Sequence, residues 1–293
     1  MASRRATGEG PGRGGGRPVS RIDAESAVFP VEDPGVASTP GERRWRTRLH
    51  GAWNIGDNAN GGYALTPVLR AMAAAAGHAD PVSVTAHFLR PGRGDTDGEV
   101  ATRLLRPGRR ISTVAGELHQ QGSLRLAALA AFADLGAGSP PGPELTLDPP
   151  DLPPPERCRH RGGLEQGVTL PILDRLEVRI HPDRAEAGAS DTAEISGWIR
   201  FADDTPPSTL TLPLFADAFP PAVYAWLGRV GWVPTVELTV HVRRRPVPGW
   251  VRARFVCDDL VDGRVIESGA LWDAEGRLVA RSRQLGLLLG PGA

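Results

Sequence analysis

Lysine is absent from all 293 residues, so the 34 basic side chains are arginines, matched by 34 acidic ones. With zero net charge and the arginines scattered along the chain, a nucleic-acid groove is not expected, because such a groove gathers cations on one face to release counterions. The two cysteines, Cys158 and Cys257, are too few for a disulfide framework, and neither sits in a CxxC or CxxH spacing. No metal site is expected, and a reducing cytoplasm is the default compartment. No apolar run approaches the ~20 residues that span a bilayer, and the opening MASRRATGEGPGRGGGRPVS lacks the apolar core of a signal peptide. Neither a GxSxG elbow nor an HExxH pair occurs, which removes two common hydrolase designs. A formal GxGxxG at Gly10, Gly12 and Gly15 has no strand before it and no helix after it, so it carries no nucleotide-binding signal.

What is present divides the chain. Residues 1–24 are Gly/Arg-rich, with too little apolar surface to offset the entropy of ordering, and are expected to be disordered. Residues 136–160, containing GAGSPPGPELTLDPPDLPPPE, read as a linker, since clustered prolines forbid both helix and ladder. Two comparable units remain, 25–135 and 161–293. They resemble each other: TAHFLRP from Thr85 matches TVHVRRRP from Thr239, and GELHQQGSLRLA from Gly116 matches GALWDAEGRLVA from Gly269. Thr85 and Thr239 lie 154 residues apart, and so do Gly122 and Gly276 within the second pair, which suggests an internal duplication.

Each unit opens with an apolar helix, Gly62 to Ala76 and about Leu210 to Phe219, in which Pro67 and Pro220-Pro221 predict a kink or an early stop. Alternating strands follow: VSVTAHFL, GEVATRLL, ISTVAGELH and LRLAALAAF against TVELTVHV, WVRARFV, RVIESGALW and RLVARSRQLGLLL, with QQG and DAEG as hairpin turns. A single helix and a meandering antiparallel sheet bury their apolar faces together only if the sheet wraps the helix. The expected fold is therefore α+β, a double hot-dog of two tandem repeats.

Asparagine occurs three times, at Asn54, Asn58 and Asn60, all just before the first helix. Asn60, Gly61 and Gly62 fit a bend and an N-cap, and the same residues would let a ligand carbonyl approach bare N–H groups at a helix start.

With these motifs in order, the chain resembles the acyl-CoA thioesterase II family, the double hot-dog thioesterases. WNIGDNANGGYAL, HFLRPG and LRPGRRIST carry the likeness in the first half; LFADAFPP, PTVELTVHV and ARSRQLGLL carry it in the second, over about Phe29 to Leu289. The resemblance implies an acyl-CoA substrate, no cofactor, and direct hydrolysis by a water held between an aspartate, a hydroxyl and a glutamine of the second hot-dog. Motif by motif these fall on Asp217, Thr235 and Gln284.

Local physics tests each assignment. Asp217 stands among Leu212, Leu214, Phe215 and Phe219, so its carboxyl should be desolvated and its pKa raised, unless it lies on a solvated helix face. Strand alternation turns Gln284 inward, as a site residue or as a core amide. Thr235 shares parity with Glu237, Thr239 and His241, away from the apolar face, unless a bulge re-aims it. Shifted back by one repeat, the three become Tyr63, Pro81 and Ala130, so only the second half is expected to be catalytic.

Arg90, Arg106, Arg109 and Arg110 fall in polar turns and are candidates for CoA phosphates or plain surface cations. No aspartate is followed five residues later by histidine, the pattern of hot-dog hydratases. Two alternatives stay open: an enzyme of the same fold acting on a carrier-protein-bound intermediate, and a non-catalytic acyl-binding double hot-dog. Self-association into a homodimer or higher homo-oligomer is implied by resemblance alone.

Overall fold

The computed structural model describes residues 19–31, 41–136, 142–162 and 167–289. The formal GxGxxG and most of the Gly/Arg-rich opening lie outside the described residues. The end of that opening differs from expectation, because Arg21–Glu25 forms a short helix, α1, with the Ser20 side chain accepting from the Asp23 N–H. Its anchor is distant in sequence: Arg175 grips the Glu25 carboxylate with two bonds of 2.8 Å, and the Trp53 indole N–H adds a third at 2.7 Å. Composition could not reveal an order supplied from 150 residues away.

Ten principal strands build one continuous antiparallel sheet: β1 (Glu42–Leu49), β2 (Asp80–Phe88), β3 (Thr96–Arg106), β4 (Ser112–Gln120), β5 (Ser123–Ala133), β6 (Glu194–Phe201), β7 (Thr235–Val242), β8 (Val251–Val261), β9 (Arg264–Trp272) and β10 (Leu278–Leu287). Their order is β1-β3-β4-β5-β2 followed by β7-β10-β9-β8-β6, with shorter strands at both edges. The second five repeat the first five in reverse order, as a pseudo-twofold axis requires.

That axis can be placed. β2 pairs with β7, and Thr85 stands opposite Thr239, its own repeat mate. Their hydroxyls bond across the join at 2.9 Å, 154 residues apart. Gly122 and Gly276, another pair at this offset, both take positive φ, 71° and 76°, at their hairpin turns.

The first half wraps a helix of 16 residues, α2 (Gly61–Ala76), buried from Gly62 onward except at its Arg70, Ala73 and Ala74 positions. A helix apolar on every side needs cover on every side. Strands β3 and β4 supply one side, and the second half's helix supplies another. Pro67 does not shorten α2; its fully buried neighbours Leu65, Val68 and Leu69 hold the turn despite the lost backbone bond.

The second half departs from the single helix expected over Leu210 to Phe219. It has α3 (Leu212–Ala216), then a break at the two prolines, then α4 (Val223–Leu227). Between the halves, residues 142–154 run extended without a ladder, as their prolines dictate, yet they are strapped to the second sheet. Trp272 donates to the Leu147 carbonyl and Trp198 to the Pro153 carbonyl, both at 2.9 Å.

Candidate active site

The break after α3 places the first site residue. Asp217 is the C-cap of α3 rather than a helical residue, with φ −108° and ψ 5°, and its side chain turns toward the start of α2. Gly62 makes that approach possible. A Cβ there would lie 2.6 Å from the Leu214 Cα and 2.8 Å from the Pro213 carbonyl, so only glycine lets α2 and α3 touch.

Asn60 is the expected N-cap and also reaches Asp217. Its Oδ1 accepts from the Tyr63 N–H at 2.9 Å and caps α2, while its amide nitrogen donates to Asp217 Oδ2 at 2.8 Å and to the Asp217 carbonyl at 3.0 Å. The Gly62 N–H gives Oδ2 a further bond at 2.8 Å. One oxygen of Asp217 is thus fixed by the first half of the molecule.

The other oxygen meets the second half. Simple alternation would point Thr235 away, but the β7–β10 register shifts between Thr235 and Glu237: Thr235 pairs with Gly286 and Glu237 with Leu285. The extra residue, Val236, restores Thr235 to the face of Gln284, since Gln284 and Gly286 lie two apart on one strand. Thr235 Oγ1 donates to Asp217 Oδ1 at 3.3 Å and accepts from the Gln284 amide at 2.6 Å. The three side chains form one chain of hydrogen bonds, Gln284 to Thr235 to Asp217.

They line a cavity of about 310 Å³ together with Asn60, Gly61 and Arg90. Burial raises the Asp217 pKa to about 6, against the pull of the Gly62, Thr235 and Asn60 hydrogen bonds and the Arg161 charge. Near neutral pH the group is mostly ionised yet basic enough to accept a proton.

Three cavity residues escaped the sequence reading. Arg161 is buried, donates to the Ala218 carbonyl, and has its pKa pulled down to about 10 by desolvation. Arg125 is buried as well, and desolvation and its neighbours Arg93 and Arg90 lower its pKa. Glu267, buried on β9, accepts from the Ala222 N–H at 2.5 Å, and burial raises its pKa to about 7. Alternation carried a signal for Glu267, which shares parity with buried Val265 and Leu271.

Of the arginines proposed for phosphates, Arg90 lines the cavity. Arg109 and Arg110 do not. They are exposed in the β3–β4 turn, where the Gly108 carbonyl is bonded by His78 just past the C-terminal end of α2. Asp217 contacts the opposite end, and a helix of 16 residues is roughly 24 Å long.

Comparison with known proteins follows the same division of the chain. Residues 49–135 match the family model of the acyl-CoA thioesterase N-terminal domain, and residues 147–288 that of the acyl-CoA thioesterase C-terminal domain. A structure from Thermobifida fusca, provisionally assigned as a thioesterase II, is 33% identical with a TM-score of 0.81, covering 94% of this chain and 99% of that one. A hot-dog protein of unknown function from Alicyclobacillus acidocaldarius, 20% identical with a TM-score of 0.76 over 93% of this chain and 99% of its own, shares the fold. An uncharacterised protein of Mycobacterium tuberculosis is 29% identical over 286 residues, 89% of this chain and 96% of the relative.

Proposed function

Because the chain belongs to the acyl-CoA thioesterase family, we propose that it hydrolyses an acyl-CoA thioester by direct attack of water at Asp217. The observation that carries this reading is the hydrogen-bonded chain of Asp217, Thr235 and Gln284 on the wall of the cavity. Two acceptors and an amide converge where a water would sit. Such a constellation fits deprotonation of water better than the formation of an acyl-enzyme, since none of the three is an activated nucleophile of the serine or cysteine type.

In the proposed reaction the water gives a proton to Asp217 as its oxygen bonds to the thioester carbonyl carbon. The tetrahedral intermediate collapses with cleavage of the C–S bond, and protonated Asp217 returns the proton to the leaving thiolate. Free acid and free thiol balance the reaction.

The oxyanion needs donors. The Gly62 and Tyr63 N–H groups already serve Asp217 and Asn60, so the role falls to Gly61 N–H at the first turn of α2, where the helix dipole adds favourable charge. Arg90 and Arg125, at one side of the cavity, suit the phosphates of CoA, and the apolar side near Phe219, Val233 and Val265 suits the acyl chain.

The test is thiol release from a panel of acyl-CoAs, short to long and including aromatic acyl groups, for wild type, Asp217→Asn and Gln284→Ala. Turnover of some member by wild type, with both variants losing most of the rate while keeping affinity, is the expected result. A wild type inert on every CoA ester overturns the hydrolase reading and leaves the cavity as a binding site.

A further inference from the structure

The cavity wall holds a second carboxyl group that the proposed hydrolysis does not use. Glu267 is 8% exposed, and it stands directly across the β9–β10 ladder from Gln284. Paired residues of an antiparallel ladder project on the same face, with Cβ atoms about 5 Å apart, so the Glu267 side chain enters the cavity beside the proposed reaction centre. Its Oε2 accepts from the Ala222 N–H. Its Oε1 accepts no hydrogen bond, and the group makes no ion pair, among the described residues.

The surroundings explain what that oxygen would need. Val265, two residues from Glu267 on β9, and Pro221, next to its partner Ala222, line the same cavity together with Phe219, Val233 and Leu287, apolar residues that suit an acyl chain. A plain alkyl chain entering there would expel water and leave Oε1 buried without a partner, which opposes its binding. A chain bearing a hydroxyl a few bonds from the carbonyl would restore the missing bond. The matching position of the first half is Thr113, which carries no carboxyl.

We propose that Glu267 selects acyl groups carrying a hydrogen-bond donor, of the hydroxyacyl class, by offering Oε1 to that hydroxyl within the acyl side of the cavity. The proposal rests on the thioesterase reading for its substrate but not for its test. A site built to hydrogen-bond a substrate hydroxyl discriminates strongly against the analogue lacking it, whereas an apolar pocket discriminates weakly. Glu267 takes no part in bond breaking in this scheme; it is a specificity residue.

The experiment uses matched CoA esters of one chain length, unsubstituted or with a single hydroxyl placed at successive carbons beyond the carbonyl. Both kcat/KM and dissociation constants are measured for wild type, Glu267→Val and Glu267→Gln. Wild type should favour at least one hydroxylated ester over the plain one by tenfold or more. Glu267→Val should erase that preference by improving the plain ester, and Glu267→Gln, which keeps an acceptor, should retain part of it. If wild type shows no preference at any position, or if Glu267→Val shows the same preference as wild type, the proposal is overturned. If Glu267→Val fails to fold, the wild-type preference and its partial retention in Glu267→Gln still decide. Should no ester be turned over, the hydrolase reading falls alone, and the ratio of dissociation constants judges the role of Glu267.

Discussion

The two ends of the molecule, related by the axis between Thr85 and Thr239, have the same strand order and different chemistry. Even the bulge that aims Thr235 recurs: the β2–β5 register shifts between Pro81 and Ser83, the mates of Thr235 and Glu237. At the second end the bulge presents a hydroxyl to Asp217. At the first it presents a proline, and the mates of Asp217 and Gln284 are Tyr63, stacked on Trp53 with ring centroids 4.9 Å apart, and buried Ala130.

The reverse comparison is equally informative. Ile55, Pro91 and Pro234 line the cavity, and their mates are Thr209, Arg245 and Asp80. Those three are bonded together: Asp80 accepts from Thr209 at 2.8 Å and from Arg245 at 2.7 Å. One end was left apolar and open around a base; the other was closed by an ion pair. On the proposed reading, a duplicated scaffold separates catalytic from structural duty while keeping the strand geometry that both require.

The largest expected effect tests that division. Asp217→Asn should lower kcat by roughly 10²–10⁴-fold, the usual worth of a positioned general base, while Asp80→Asn should leave kcat within a few fold. Comparable losses in both, measured by thiol release, would end the claim that one end alone is catalytic. Gln284→Ala should cost about tenfold to a hundredfold with little change in affinity, in the manner of a lost water-orienting group. The reciprocal Ala130→Gln should create no activity in an Asp217→Asn background.

Stability should respond at the same two ends with opposite pH dependence. Asp217 has its pKa raised to about 6, so its folded state is favoured below the unfolded carboxylate range and that advantage is lost as pH rises through about 6. Asp80 has a lowered pKa, because Arg245, Thr209 and the Leu135 N–H outweigh the burial that opposes them. Its contribution is present above the unfolded pKa and is lost as pH falls through the folded one. Thermal melts should show Asp217→Asn gaining on wild type as pH rises from about 4 to about 6, and Asp80→Asn less stable than wild type by about 1–3 kcal/mol near neutral pH, a deficit that shrinks as pH falls below the ordinary carboxylate range. Identical profiles for the two variants would contradict the opposed environments. The kcat/KM profile of wild type should likewise fall on the acid side with an apparent pKa near 6.

The smallest effect concerns the join between helices. Gly62→Ala forces a methyl against the Leu214 backbone and should destabilise by about 1–3 kcal/mol, the cost of overpacking. At the mate, residue 216, the chain already carries alanine, so Ala216→Gly should cost about 1 kcal/mol or less. A tolerated Gly62→Ala with unchanged activity would show that the close approach of α2 and α3 is not needed to hold Asp217.

Alternation, turn residues and a repeat offset of 154, seen again in the Thr85–Thr239 bond, are local properties, and they made the strands, the hairpins and the duplication readable from the sequence. Asp217, Thr235 and Gln284 came from the family resemblance, and local patterning agreed with it for Asp217 and Gln284, each a polar residue among apolar positions. What the chain order hid is whatever depends on distant partners: the break of the second helix around Asp217, the bulge that turns Thr235, the grip of Arg175 on Glu25, and the Asn60 amide reaching Asp217 across 157 residues. Patterning fixes which face of an element is apolar because burial rewards it residue by residue. Which polar groups then meet is decided only when sheets wrap and helices touch, because a hydrogen bond depends on tenths of an ångström between residues that the sequence holds far apart.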